Sequence, residues 1–181
     1  MTEIETARLR LRLWREDDLD SYARICVDPE VMRYMGIGAM TREQTAEQVA
    51  RFMRHWEERG YSHWAVEEKA TGAFIGRTGL QYQDDWPEGE HKTEVGCLLD
   101  RSRWGKGLAT EGALASLRYG FEELALERII SITLPTNLAS RRVMEKAGLT
   151  FRGEARWRGF DVVWYAADRR GWEAGPRGSR A

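Results

Sequence analysis

The sequence predicts an α+β domain built on a twisted, mostly antiparallel sheet of about six or seven strands, flanked by helices and holding one parallel βαβ crossover. Three observations predict it. Blocks of period-two hydrophobic alternation recur along the chain. Between them lie segments whose apolar residues repeat at helical spacing behind capping residues. Residues 93–134 run strand, glycine-bearing loop, helix, apolar strand, which is the order of a parallel crossover. With 181 residues, 42% of them hydrophobic and 31% charged, the chain can fill one core and cover it. A single domain is expected over residues 1–173, and the Gly/Pro/Arg-rich stretch 174–181 reads as a flexible tail.

The elements follow in order. Arg8 to Leu13 alternates Arg and Leu, a strand with one buried face. Glu16, Asp17 and Asp18 suit a helix N-terminus by charge, and Leu19, Tyr22, Ala23 and Cys26 repeat behind them. Asp28 and Pro29 read as N-cap and first residue of a short second helix. Thr41 and Gln44 form a capping box; the helix they open has Ala46, Val49, Met53 and Trp56 as its stripe and ends at Gly60. Trp64 and Val66 lie in one strand, Phe74 to Leu80 in the next, and Ala70-Thr71-Gly72 turns between them. After a polar loop, Gln83 to His91, the strand Thr93 to Leu99 completes an antiparallel meander. A loop, Asp100 to Gly107, leads into a helix from about Leu108 to Ala125, with Leu114, Leu117, Phe121 and Leu124 inward. Arg128 to Leu134 is apolar enough for a buried parallel strand. Asn137 caps a short helix that ends at Gly148, and two last strands, about Thr150–Trp157 and Val162–Arg169, flank Arg158-Gly159.

Charge and composition remove several function classes. The 28 basic and 29 acidic residues leave a formal net charge of -1, unlike a dedicated nucleic-acid binder. The basic clusters, Arg8-Arg10-Arg12 and Arg141-Arg142, read as solvated faces. Cys26 and Cys97 each sit in an apolar run and read as buried free thiols, which points to a reducing compartment. His55, His63 and His91 share no metal-ligand spacing, so no metal site is expected. The N-terminus is too polar for a signal peptide, and no apolar run approaches the ~20 residues that span a bilayer. The expectation is a cytoplasmic protein without a membrane partner.

Two motifs carry chemistry. In Leu98 to Thr110 an apolar strand stops, a loop containing Gly105 and Gly107 turns, and an amphipathic helix begins. Glycines let backbone N–H groups approach an anion, and the helix N-terminus adds its dipole and unpaired donors. A phosphate or pyrophosphate is the natural ligand, and an ordinary tight turn is the competing account. The spacing matches neither GxGxxG nor GxxxxGK[ST]. The second motif is Thr136-Asn137-Leu138-Ala139-Ser140. Asn137 follows the parallel strand directly, so it lies at that strand's carboxyl end; where neighbouring strands splay, a ligand can slot between them. Asn137 reads both as an N-cap and as a ligand contact.

Together with these motifs, Thr6-Ala7-Arg8-Leu9-Arg10-Leu11-Arg12, Asp28 to Tyr34, Ile75 to Leu80, Glu94 to Leu99, Lys146-Ala147-Gly148, and Tyr165-Ala166 with Trp172 occur in one order. That series resembles the GNAT N-acetyltransferase superfamily, and within it the ribosomal-protein alanine N-acetyltransferase (RimJ/RimL-type) branch. The resemblance spans about Glu5 to Glu173. It implies a splayed cofactor site and acetyl-CoA (coenzyme A) as the cofactor. The superfamily loop reads (Arg/Gln)-x-x-Gly-x-(Gly/Ala), which here places Trp104, Gly107 and Ala109 in the frame. Trp104 departs from the wider superfamily and agrees with this branch. Trp104, Gly105, Lys106, Gly107, Leu108, Ala109 and Thr110 would hold the pyrophosphate. Cys97, Leu98 and Leu99 would meet the pantetheine and the thioester carbonyl, and Asn137 the pantetheine arm. Many members place a proton-donating Tyr seven residues after the Asn; Met144 stands there in this chain and cannot donate. Ser140 is the implied replacement, either as acid or as a packing contact.

The expected reaction is direct attack of a neutral amine on the acetyl thioester in a ternary complex, with the Leu99 N–H stabilising the oxyanion. An α-amine, with a pKa of about 7.7–8.0, needs modest help from a base; a lysine amine, near 10.4, needs much more. Glu94 is the candidate base, with Asp161 and Glu154 behind it, and an exposed or salt-bridged strand residue is its bland account. Protein N-termini, polyamines, amino sugars and small amino compounds all fit as acceptors. Trp86 and Trp157 are candidates to line an acceptor groove. A homodimer through the sheet edge or the last strands is open, and so is an acyl-CoA-binding module that transfers nothing.

Overall fold

Leu9 and Leu11 are both buried, so the Arg-Leu alternation at the N-terminus makes a strand, β2 (Leu9–Arg12); a two-residue strand, β1 (Ile4–Glu5), pairs with its outer edge. The computed structural model describes residues 2–174, so all of the predicted tail but Ala174 lies outside the described residues. Helices α1 (Asp18–Cys26), α2 (Pro29–Met32) and α3 (Arg42–Arg59) come next. The strands β3 (His63–Glu68), β4 (Ala73–Tyr82) and β5 (Thr93–Leu99) form the meander, α4 (Leu108–Arg118) the crossover helix and β6 (Arg128–Thr133) its return strand. Then come α5 (Leu138–Lys146), β7 (Thr150–Trp157), β8 (Phe160–Asp168) and a last short helix, α6 (Arg169–Ala174). The strands form one sheet in the order β1-β2-β3-β4-β5-β6-β8-β7, antiparallel throughout except for β5 beside β6. The edge strand β1 is the one that the expected six or seven did not include.

Local chemistry sets the helix ends. Asp28 accepts from the Glu30 N–H, and the Thr41/Gln44 capping box is fully made. Gly60 ends α3 in the left-handed conformation, at φ 75°. The buried stripe of α3 is Val49, Phe52 and Trp56, with Thr45 and Gln48; Met53 is 48% exposed, because the helix turns its Phe52 side to the sheet. The crossover helix also differs from expectation. Leu114 is 36% exposed, and the small residues Gly112, Ala113 and Ser116 face inward instead. They bring α4 close to the sheet: a Cβ on Gly112 would stand 3.0 Å from Thr78 Cγ2. After Arg118 the helix widens into a π turn over Tyr119–Glu123, and Ala125 leaves it at φ 53°. Trp172, of the motif series, lies after β8 in α6, against Phe121.

Both sheet faces are covered. Trp14, Tyr22, Phe52, Ala65 and Leu98 pack on the side of α1 and α3, while Trp64, Val66, Leu80 and Val95 pack in a second cluster with Leu117 of α4. Asp18, read as a helix-end charge, is instead buried: its carboxylate takes two 2.7 Å bonds from Arg12, which also reaches Glu67 at 3.1 Å. Of the cluster read as a solvated face, only Arg12 is buried; the Arg8 and Arg10 side chains stay 50% and 41% exposed, and all three pair with carboxylates. Arg10 meets Glu5 and Glu67, and Arg8 meets Glu111 at 2.6 Å.

Candidate active site at the sheet splay

The parallel pair that the crossover creates holds at a single register point, Glu94 opposite Ile130. Near it Ser131 Oγ donates to Val95 O at 2.8 Å, and the Ile132 N–H donates to Glu94 Oε1 at 3.3 Å. Beyond it β5 and β6 separate. On the other edge of β5, the Asp100 N–H donates to Ile75 O at 2.8 Å. By strand alternation the backbone of Leu98 then belongs to β4, and that of Cys97 and Leu99 faces the gap. Leu98, expected at the cofactor, has its side chain in the core beside α1. A cavity of about 570 Å³ runs through the gap, lined by Glu94, Gly96, Cys97, Asn137 and Ser140 among others.

The glycine loop closes one end. Gly105 and Gly107 take φ 73° and 78°, a region that side chains with a Cβ avoid, and a Cβ on Gly105 would meet nothing within 4 Å. Gly107 is also the N-cap of α4, and no side chain caps that helix. Its first N–H groups are thus left for an external acceptor. Arg8 and Glu111 fix the loop from outside: Arg8 Nη1 donates to Lys106 O at 2.8 Å, and Thr6 Oγ1 donates to Glu111 at 2.6 Å. Lys106 is exposed, Leu108 is buried, and Ala109 and Thr110 are half-buried in the first turn. Trp104 is 47% exposed, and its indole N–H turns back to donate to Leu99 O at 2.9 Å. It therefore closes the strand end and takes up the one gap-facing carbonyl of Leu99.

On the opposite wall Asn137 does cap α5, accepting from the Ser140 N–H at 3.2 Å, and its amide donates to Thr133 Oγ1 at 3.0 Å. One amide hydrogen and one lone pair stay free, so capping and ligand contact are compatible. Ser140 Oγ has no hydrogen-bond partner among the described residues, and buried Met144 lines the same wall. Glu94 is neither exposed nor salt-bridged: Gln83 Nε2 donates to its Oε2 at 2.6 Å. Burial raises its pKa, and the bonds from Gln83 and Ile132 oppose part of that rise. Asp161 and Glu154 are not among the cavity-lining residues, and Asp161 is paired with Arg156. Cys97 lies half-buried at the cavity and Cys26 is buried; both thiols are free, and burial raises both pKa values. Trp157 borders the cavity, whereas Trp86 is only 1% exposed and packs edge-on against Trp157 and Trp164.

Three side chains at the cavity were missed: Arg77 and His63 on the floor, and Gln83, which holds Glu94. A charge between Gly76 and Gly79 in an otherwise apolar strand was the available signal for Arg77.

A family model described as an acetyltransferase (GNAT) domain matches residues 8–150. The chain belongs to the GNAT acetyltransferase family. The chain is an acyltransferase. The uncharacterized protein YkkB of Bacillus subtilis (strain 168) is 36% identical over 83% of this chain and 86% of its own. The FsC-acetyl coenzyme A-N(2)-transacetylase of Aspergillus fumigatus is 33% identical over 81% of this chain and 64% of its own. A GNAT-family acetyltransferase structure from Bacillus anthracis superposes with a TM-score of 0.79 at 28% identity, covering 93% of this chain and 99% of the other. The putative ribosomal N-acetyltransferase YdaF of Bacillus subtilis (strain 168) is a more distant relative, 31% identical over 56% of this chain and 57% of its own, which agrees with the resemblance to that branch. No helix among the described residues is long and apolar enough to cross a membrane.

Proposed function

We propose that this acetyltransferase moves an acetyl group from acetyl-CoA to a primary amine by direct attack in a ternary complex. The observation that carries the reading is the opening of β5 from β6 beside an uncapped helix N-terminus preceded by two left-handed glycines. Such an end supplies backbone donors and a positive dipole to a pyrophosphate. The loop 104–107 and the first turn of α4 would hold that group, the backbone of Cys97 and the free N–H of Leu99 the thioester arm, and Asn137 its far side. When bound, the cofactor supplies an activated acetyl thioester: a nitrogen–carbon bond forms as the carbon–sulfur bond breaks, and one proton passes from nitrogen to sulfur. Glu94 takes the amine's proton, directly or through a water. The Leu99 N–H meets the carbonyl oxygen; Ser140 passes its hydroxyl proton to the departing sulfur and is reprotonated, through water, by the proton that Glu94 took from the amine.

Acetyl-CoA at about a hundred times its Kd adds roughly 2.7 kcal/mol, which is about 5–10 °C in Tm for a domain of this size. A shift in that range, with thiol release against a panel of amines, is the expected result; no shift at hundreds of micromolar would sink the reading. Met144, in place of a proton-donating tyrosine, favours a second reading in which the chain binds acyl-CoA without transfer. A shift without thiol release from any amine would select it.

A further inference from the structure

Arg77 is a buried cation without a counter-ion. Its side chain is on β4, the residue is 6% exposed, and no carboxylate among the described residues lies within ion-pair distance. Every partner it has is neutral. Nε donates to Tyr22 Oη at 2.9 Å, and that hydroxyl donates to Gln48 Oε1 at 2.7 Å. Nη1 lies 3.0 Å from His63 Nε2 and 3.3 Å from Nδ1, and the guanidinium carbon stands 5.2 Å over the Phe52 ring. Burial and the nearby Arg77 charge hold the His63 pKa well below the usual 6.5, so the imidazole is uncharged. Buried charges in folded proteins are paired, because an unpaired one costs several kcal/mol.

The place of the guanidinium says where a pair could come from. A Cβ on Gly96 would stand 4.0 Å from Arg77 Nη1 and 3.5 Å from His63 Cε1. Gly96 faces Gly79 across the β4–β5 ladder, so no side chain covers this part of the floor, which lines the cavity already described. Glu94 lies one pleat further along the same face of β5, about 7 Å away by strand rise. Among the charged groups lining the cavity Glu94 is the sole carboxylate; Arg51 and Arg158 stand with Arg77, and Arg158 is paired with Asp85.

We infer that the acceptor is a small amine bearing its own carboxylate, an α-amino acid or a close analogue, with the carboxylate on Arg77 and the amine toward Glu94. The inference rests on the acetyl-transfer reading of the same site. An α-amino acid carries both groups on one carbon, so its carboxylate can take charge-assisted hydrogen bonds from Arg77 beside Gly96 while its amine points along the same strand face to Glu94. The carboxylate gives Arg77 the negative charge that the fold withholds, and Arg51 at the rim draws anions inward. A polycationic acceptor would face like charges on the same floor.

The test compares the common L-amino acids with their carboxamides and decarboxylated amines, reading thiol release from acetyl-CoA. At least one amino acid should exceed its carboxamide by about tenfold or more in kcat/KM, the loss expected when one charge-assisted bond is removed. Arg77→Met should raise the KM for that amino acid at least about tenfold and collapse the preference, while the acetyl-CoA shift in Tm persists. If Arg77→Met does not fold, Arg77→Lys should keep a weakened preference. Carboxamides or plain amines that match the amino acids would overturn the inference and leave acetyl transfer standing. If no amine is turned over although acetyl-CoA stabilises the protein, melting in the presence of coenzyme A decides. Stabilisation by amino acids but not carboxamides supports the inference, and none by either overturns it. Failure of acetyl-CoA itself to bind would bring down both readings.

Discussion

Glu94 and Ser140, the proposed base and acid, differ in what surrounds them. Glu94 is enclosed, hydrogen-bonded by Gln83 and the Ile132 N–H, and raised in pKa by burial. A base must be ionised, so kcat/KM should fall as pH drops through that raised pKa, above the usual carboxylate value of about 4.3. Glu94→Gln should lower kcat and remove the lower of two acid limbs, leaving the one set by the amine's own ionisation; a lower limb that persists in the variant would take the base role from Glu94. Ser140→Ala should lower turnover about tenfold or more and leave the acetyl-CoA shift in Tm intact, since only a proton donor is removed. Equal turnover would make Ser140 a packing residue. Residue types and spacing made both candidates legible, because each sits beside a strand end that the pattern defines. Arg77 was not legible in that way: what matters about it is the absence of a carboxylate neighbour, and neighbours are a tertiary property.

Among the elements, the loop and helix α4 carry the argument. Gly107 takes φ 78° and begins an uncapped helix, so Gly107→Val combines backbone strain with a Cβ in the anion's approach. Calorimetry should then show a folded protein whose Tm no longer responds to acetyl-CoA; a full response would reduce the loop to a turn. Arg8 and Glu111 join β2 to this loop across the sheet. Capping, glycine placement and period gave the boundaries of α3, β5 and α5 almost unchanged, because those signals are local. The inward faces of α3 and α4 were less readable. Met53 and Leu114 are apolar yet exposed, because the face that packs is set by how closely the sheet approaches, and Gly112 and Ser116 permit a closer approach than leucine does.

At the scale of the whole molecule, two buried polar groups tie stability to the site. Arg12 and Asp18 form a bidentate pair deep between β2 and α1; Asp18→Ala should cost about 3–5 kcal/mol, because Arg12 would keep its charge and lose its nearest partner. Denaturant midpoints measure that loss. His63 stays uncharged in the fold while the unfolded chain takes a proton below pH 6.5. Its contribution is therefore complete above pH 6.5 and is lost as pH falls toward the depressed folded value, by up to about 1.4 kcal/mol per pH unit. His63→Phe should flatten stability against pH across that window, and an unchanged slope would assign acid sensitivity to other groups. The sequence alone determined the order of elements from β2 to β8, the caps, the glycine loop and the family, since periodicity and turn chemistry act over a few residues. The tertiary structure alone decided that β5 and β6 part after Glu94, that Trp104 folds back on Leu99, that Arg12 is buried against Asp18 and Glu67, and that Arg77 is buried with no carboxylate partner. Each of these depends on which residues meet across long stretches of chain, and no local pattern records that.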